Sequence, residues 1–472
     1  MATEHLSPLD LAFWRIESAA HPMHLGALAV FHTAAPGPAA APGPAAGPGP
    51  TAGPGPTAGP GPTAGSGAAS GAAERAAALL AARCAAVPGL RRRIRDVLLP
   101  VGAAAWSPDP AFDPARHVFL VRTDEEDPQT AAGPLMARPL DRELPPWEAH
   151  VLAGPDPESF AVLFKFHHAL ADGLGALALA ASLFDEGPAP RTSVRPVPEQ
   201  RAGSALRRLP GALAARVQDV GQALEIGAAV ARSGLPLGVP AALTADPAGK
   251  GTRAVAGLAL DLDEVNLVRK AAGGTVNDVL ICVVAGALRR WLEERGDPAP
   301  TGPGPRALIP VSRRGRAGAG GGNRLSGYLL RLPLAERDPL LRLDRIRAAM
   351  DRNKDAGPAR GAGAVALLAD HVHPLGHRLG GPLVAQAARL LFDILVTSVP
   401  LPGLTFTLGG SRVREVYPLA PLARGQSLAV AVSTYKGTVH YGLVADAAAV
   451  PDLDALAGAL RAELDALVRE VS

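Results

Sequence analysis

Apolar residues fall along this chain in two rhythms, one of short continuous runs and one of helical spacing. Leu25 to Phe31 and Phe160 to Phe166 are runs of the first kind, the second bounded upstream by Gly154-Pro155-Asp156-Pro157. Such runs between turn formers predict buried strands. Directly after Phe166 come His167-His168-Ala169-Leu170-Ala171-Asp172-Gly173. The Ala/Leu-rich stretch Leu174 to Phe184 that follows predicts a helix ending near Gly187-Pro188. The two histidines thus stand at a strand-to-helix junction. A helix rich in Ala is expected from about Glu74 to Ala86, a strand at Ala254 to Leu262, and helices at Leu262 to Ala272 and Val279 to Arg295. Further strands are expected at Arg306 to Pro310, Leu325 to Leu334, Ile394 to Val399, Ser427 to Thr434 and Thr438 to Val444. Asp452 to Val471 places Leu453, Leu460, Leu464 and Leu467 on one helical face. Strands and helices mixed in both halves predict α/β architecture.

Two stretches interrupt the pattern. Ala34 to about Ala73 is almost entirely Ala, Gly, Pro, Thr and Ser, with Gly-Pro-Gly-Pro-Thr-Ala repeated at Gly47, Gly53 and Gly59. A segment so poor in apolar surface does not offset its conformational entropy, so residues 34–73 read as a disordered insertion in a surface loop, dispensable for chemistry. Pro188 to about Lys250 reads as a connection with helices at Ala205 to Arg216 and Val217 to Arg232, broken by Pro236, Pro240 and Pro247. The expected organisation is therefore one lobe over residues 1–190, a helical connection over 191–250 and a second lobe over 251–472.

A chain of 472 residues suits two such lobes. Lys and Arg number 47 against 44 Asp and Glu, a net +3, which provides no basic field for nucleic acid. The two cysteines, Cys84 and Cys282, stand alone without metal-ligand spacing and read as small buried apolar residues, not as a disulfide framework or zinc module. Met1-Ala2-Thr3-Glu4-His5 lacks the basic start of a signal peptide, and no apolar run reaches about 18 uncharged residues. The expectation is a cytoplasmic protein that meets membranes only at their surface.

A histidine at the end of a strand can project its ring into a cleft, and an ordinary pKa of about 6.5 suits general-base work near neutrality. Asp172 can fix the turn and the ring orientation. On residue types alone a His-His pair is more often structural than catalytic. A metal site is disfavoured, since adjacent histidines point different ways and no third ligand stands at a diagnostic spacing. No Gly-x-Ser-x-Gly elbow, phosphate-binding loop or strand-linked GxGxxG is present, and Gly318 to Gly322 reads as a flexible loop. Direct transfer between two bound substrates is therefore favoured over a covalent enzyme intermediate.

His167 to Gly173 matches the HHxxxDG signature of coenzyme-A-dependent acyltransferases, and its surroundings resemble the bacterial wax ester synthase/diacylglycerol acyltransferases. Leu6-Ser7-Pro8-Leu9-Asp10 with Pro22-Met23-His24 resembles that family's N-terminus, and Arg138 to Arg142 with Pro146-Trp147-Glu148 its approach to the histidines. Thr275-Val276-Asn277-Asp278 resembles its Asn-Asp motif, Pro310-Val311-Ser312 with Gly322-Asn323-Arg324 its next block, and Val413 to Pro421 with Gly442 to Asp446 its C-terminal block. The resemblance covers nearly the whole chain outside the Ala34 to Ala73 insertion, and the ordered set is far more specific than HHxxxDG alone.

The resemblance implies a two-lobed pseudo-dimer like chloramphenicol acetyltransferase and peptide-synthetase condensation domains, with an active-site tunnel between the lobes. It implies acyl-CoA as co-substrate and diacylglycerol or a long-chain alcohol as acceptor, with no metal or redox cofactor and with peripheral contact to membrane or lipid inclusions. His168 would be the general base, His167 would support the loop, Asp172 would be structural and Gly173 would permit the turn. Asn277 and Asp278 would line the site, Asn277 donating to the oxyanion. Capping of the helix that follows is at least as good an account of Asn277. Two other readings stay open: acylation of a secondary-metabolite hydroxyl, and an inactive lipid-binding relative. Arg91-Arg92-Arg93 with Arg95 suits CoA phosphates or anionic lipid, though a short basic run is usually a solvated face. Trp147 reads as core, and the Ala205 to Arg232 helices as interfacial or packed. Leu243-Thr244-Ala245 and Thr397-Ser398-Val399-Pro400-Leu401-Pro402 stand where relatives commonly carry Leu-Asn-Gly and Thr-Asn-Val-Pro-Gly-Pro, which bears on chain-length preference.

Overall fold

The apolar run ahead of the histidines forms the middle of a six-stranded sheet. The computed structural model describes residues 4–33, 71–98, 101–185, 239–246, 249, 251–297, 302, 304–312, 325–356 and 392–472. Its first half runs β1 (Glu4–His5), α1 (Pro8–Ile16), β2 (His24–His32), α2 (Ala72–Cys84), β3 (Arg92–Asp96) and β4 (Ala104–Pro108). It continues through β5 (Val118–Arg122), α3 (Pro128–Ala137), β6 (Trp147–Ala153), β7 (Ser159–His167) and α4 (Gly173–Ala181). Then follow β8 (Arg253–Asp261), α5 (Leu262–Ala272), α6 (Val276–Glu294), β9 (Arg306–Ser312), β10 (Leu325–Arg331) and α7 (Pro339–Ala356). The chain closes with β11 (Ile394–Pro400), β12 (Thr407–Leu408), β13 (Ser411–Leu419), β14 (Leu428–Tyr435), β15 (Thr438–Asp446) and α8 (Leu453–Val471).

One sheet has the order β12-β13-β2-β7-β6-β5 and the other β10-β9-β11-β14-β15-β8, with a small β1-β4-β3 sheet beside the first. The period of two along β7 explains the layering. Phe160, Val162, Phe164 and Phe166 pack one way, onto Ala76 and Leu80 of α2 and Ala176 and Ala180 of α4. Ala161 and Leu163 face the other way and share a core with Val255, Ala429, Ala431 and Val444 of the second sheet. A third core lies between the second sheet and α6 and α8; α6 is buried on nearly every side, which its unbroken Val279 to Leu288 run requires.

The boundary at residue 250 is not a boundary in space. β13, from the second half of the chain, pairs antiparallel with β2 from Gly26 to His32, and β12 extends the same sheet. The lobe expected over 251–472 therefore gives up residues 407–419 to the first lobe. β13 stays close to the second sheet because Gly442 has no side chain: a Cβ there would fall 1.9 Å from the carbonyl oxygen of Pro418. The insertion also ends earlier than expected, since Ala72 and Ala73 are helical and buried. Helices α1, α3 and α7 were not anticipated. The Ala205 to Arg232 helices, the Gly318 to Gly322 loop, Gly322-Asn323-Arg324 and residues 34–70 lie outside the described residues. Cys84 and Cys282 are buried free thiols, pushed up by burial to about 11 and about 12. Among the described residues no single helix is long and apolar enough to cross a membrane.

Candidate active site

The strand ends where its alternation brings polar side chains inward. Lys165 and His167 follow Ala161 and Leu163 on the inner face of β7 and are both buried. Lys165 donates to the carbonyl of Arg138 at 2.8 Å and to Glu148 Oε2 at 3.1 Å, and His150 Nε2 meets the same oxygen at 2.9 Å. Burial alone would raise the Glu148 carboxyl; His150 and Lys165 outweigh it and bring it to about 2.

His167 is held from both sides. Its Nδ1 accepts from the Ala169 N–H at 3.0 Å, so in the neutral ring the proton sits on Nε2. That nitrogen faces Glu17 Oε2 at 3.5 Å, with the edge of Trp14 against the ring. Glu17, buried at the end of α1, also accepts the Met23 N–H at 3.0 Å and has Arg142 3.8 Å away. Burial favours its protonated form, yet His167, the Met23 N–H and Arg142 hold its pKa below the usual value.

His168 is oriented differently. Its backbone N–H donates to the Met23 carbonyl at 2.8 Å, so one residue of the β2 approach ties both Glu17 and His168. The ring stacks on Phe13 with centroids 3.9 Å apart and planes 14° from parallel. It keeps part of its surface accessible. Burial, aided by His167, pushes it down to about 4, opposed only in part by its own backbone carbonyl and by Asp172. Enclosure thus keeps the ring neutral near pH 7, the form that can take up a proton.

Asp172 caps α4, its carboxylate accepting from Gly175 N–H at 2.7 Å. Gly173 does not provide a left-handed turn, for it is not among the positive-φ glycines. A side chain there would instead crowd β11, its Cβ lying 3.3 Å from Val399 Cγ2. That contact sets the His167–Gly173 turn against the second sheet, next to Ser398.

Asn277 and Asp278 open α6, but Asn277 is not the cap. Thr275 is, in a capping box: it accepts the Asp278 N–H at 3.2 Å, and Asp278 Oδ2 accepts the Thr275 N–H at 2.8 Å. Asp278 is buried and its carboxylate accepts from the backbone and hydroxyl of Thr275, while half-buried Asn277 has no side-chain hydrogen bond among the described residues. The arginine run is engaged locally: Arg91 lies over Phe112, Arg92 pairs with Glu4 and Arg93 with Asp109. Trp147 is core, 1% exposed, its indole donating to the Leu90 carbonyl. Sequence reasoning missed Glu17, Phe13 and the Lys165–Glu148 pair. A lysine inside the Phe-Ala-Val-Leu-Phe-Lys-Phe run is the one local signal that a buried partner exists.

A two-lobed fold with HHxxxDG at the end of a central strand defines a class, and structural comparison places the chain in it. It superposes on the first condensation domain of the CDA synthetase with a TM-score of 0.54 at 15% identity, covering 100% of this chain and 97% of that one. It matches the wax ester synthase/diacylglycerol acyltransferase from Marinobacter aquaeolei VT8 with a TM-score of 0.66 at 20% identity, covering 99% of each. In sequence, residues 6–280 match the wax ester synthase/diacylglycerol acyltransferase catalytic domain and residues 321–468 the WS/DGAT C-terminal domain. A Mycobacterium tuberculosis protein named as a probable diacylglycerol O-acyltransferase is 30% identical over 403 residues, 81% of this chain and 84% of that protein. A second from the same organism, named alike, is 29% identical over 494 residues and 99% of each chain. The chain belongs to the wax ester synthase/diacylglycerol acyltransferase family. These findings do not favour the secondary-metabolite or inactive readings.

Proposed function

We propose that the protein transfers a long-chain acyl group from acyl-CoA to the hydroxyl of diacylglycerol, and also to long-chain alcohols, with His168 as general base. The observation that carries the assignment is the division of labour within the pair. His167 is fully buried and committed to Ala169 and Glu17, whereas His168 keeps accessible surface and is held neutral by its enclosure. The acceptor hydroxyl gives its proton to the His168 ring as its oxygen adds to the thioester carbonyl. The tetrahedral oxyanion then collapses, the carbon–sulfur bond breaks, and the imidazolium protonates the departing CoA thiolate. The oxyanion offsets the charge that His168 acquires, which the enclosed ring otherwise resists. Asn277, free of capping duty, is the second-lobe donor for that oxyanion, with Asp278 fixing the turn that presents it. The chemistry calls for no metal or redox cofactor, and apolar substrates suit a cytoplasmic enzyme working at a lipid surface.

The test is purified wild type and His168→Ala with palmitoyl-CoA and either diolein or hexadecanol, recording CoA release and ester together. Wild-type ester synthesis with a loss of about 10²-fold or more in a folded variant is expected. An unchanged variant rate removes His168 as the base, and absence of wild-type turnover removes the substrate assignment.

A further inference from the structure

The helices covering the outer face of the second sheet leave a cavity of about 430 Å³ between α6, the start of α7 and α8. It lies on the side of the sheet away from the lobe interface, because α6 and α8 pack with Val439, Tyr441, Leu443 and Ala445, whereas Val444 faces the other lobe. Four arginines line it, Arg289, Arg290, Arg337 and Arg342, against two carboxylates, Glu293 and Glu463. Two positive charges are left over.

The four guanidiniums are not equivalent. Arg342 is buried and spent, paired with Glu463 and donating to the carbonyls of Glu336 and Arg337. Arg289 is also buried and pairs with Glu293, but its Nε has no hydrogen-bond partner among the described residues. The Nε of Arg290 is likewise buried and unpartnered, and its terminal nitrogen stands 3.9 Å from Glu463, beyond hydrogen-bond reach. Arg337 is exposed, with no side-chain ion pair among the described residues. Asp338 already caps α7, accepting from Leu340 and Leu341, so the arginines and not the helix end supply free donors.

A guanidinium fork fits phosphate oxygens two at a time. The volume falls within the range of about 300–1,000 Å³ typical of sites for small organic ligands, more than a bare phosphate ion needs. We infer that this cavity binds the phosphate of a phosphate monoester, either a free small molecule or a phospholipid headgroup, at a site separate from the acyl-transfer centre. Arg290 and Arg337 are the recognising groups, and Glu293 limits the affinity by holding Arg289.

The experiment uses the full chain without any CoA ester. Glycerol phosphate is titrated calorimetrically, and co-sedimentation is measured with phosphatidylcholine vesicles with and without phosphatidic acid. Saturable binding of glycerol phosphate, weakened at least about tenfold in Arg290→Ala/Arg337→Ala and strengthened in Glu293→Gln, supports a free ligand. Sedimentation that depends on phosphatidic acid and disappears in the double variant, without glycerol phosphate binding, assigns the phosphate to a headgroup. Binding of neither probe, or binding that the double variant retains, overturns the proposal. Both substituted arginines are at least partly exposed and remote from His168, so ester synthesis stays at the wild-type rate and reports that the variant is folded.

Discussion

Burial pushes the imidazoles of His168 and His440 alike down to about 4, yet the two rings are differently placed. His440 lies on the inner face of β15, 1% exposed, with Tyr417 edge-on at 5.4 Å and neither ring nitrogen hydrogen-bonded among the described residues. His168 keeps accessible surface and stacks flat on Phe13. A low pKa thus registers enclosure, which both rings share. Access separates a base from a packing residue. The largest expected effect follows: His168→Ala lowers ester formation by on the order of 10²-fold or more, while His440→Leu leaves the initial rate at the wild-type level. Equal losses in both variants, read from initial rates of ester formation, would break the comparison.

Acid stability sharpens it from the other side. Both histidines have folded pKa values below the ordinary value of about 6.5, so between pH 6.5 and 4 the unfolded chain binds more protons than the folded one. Their contribution is full above about pH 6.5 and is lost as pH falls toward 4. His440, being wholly enclosed, accounts for about 2 kcal/mol of that loss. His440→Leu therefore flattens the fall of the urea midpoint between pH 6.5 and 4.5, and a variant curve parallel to wild type would show that His440 is not held neutral by the fold.

Glu17 is the next smaller lever. Glu17→Gln keeps the shape and the acceptor for Met23 N–H but removes the charge facing His167 Nε2. The ring of His167 then loses its orientation, and with it the loop that carries His168. The expected outcome is a drop of about tenfold in kcat with KM unchanged, equivalent to about 1.4 kcal/mol. A rise in KM alone would place Glu17 in substrate binding and not in positioning.

These effects divide along what local sequence can express. The β7 strand, its turn and α4 are legible because each signal is local: an apolar run, an aspartate positioned to cap, and an Ala/Leu stretch. Glu17 was not legible, since it reaches His167 only after β2 and β7 pair with His24 opposite His167. The crossing of β13 was hidden for a related reason. A period of two tells which face of a strand is buried and not which sheet receives it, and both sheets offer apolar inner faces. Glu148 is the same case, an ordinary acid until the fold sets Lys165 beside it.

The smallest effect tests the share in the chemistry proposed for the second lobe at the start of α6. Thr275 and Asn277 are neighbours in sequence with separable duties: Thr275 closes the capping box with Asp278, and Asn277 has a side chain left over. Loss of a helix cap costs typically about 1 kcal/mol. Thr275→Ala is therefore expected to lower unfolding free energy by about that amount, measured by urea titration, with ester synthesis undiminished once the protein is folded. Asn277→Ala should do the reverse, leaving stability in place and lowering kcat, because no hydrogen bond of the described structure is lost with its amide. If Thr275→Ala instead lowers kcat as far as Asn277→Ala does, the capping box itself sets the donor's position, and the second lobe acts on the reaction through its fold as well as through one side chain.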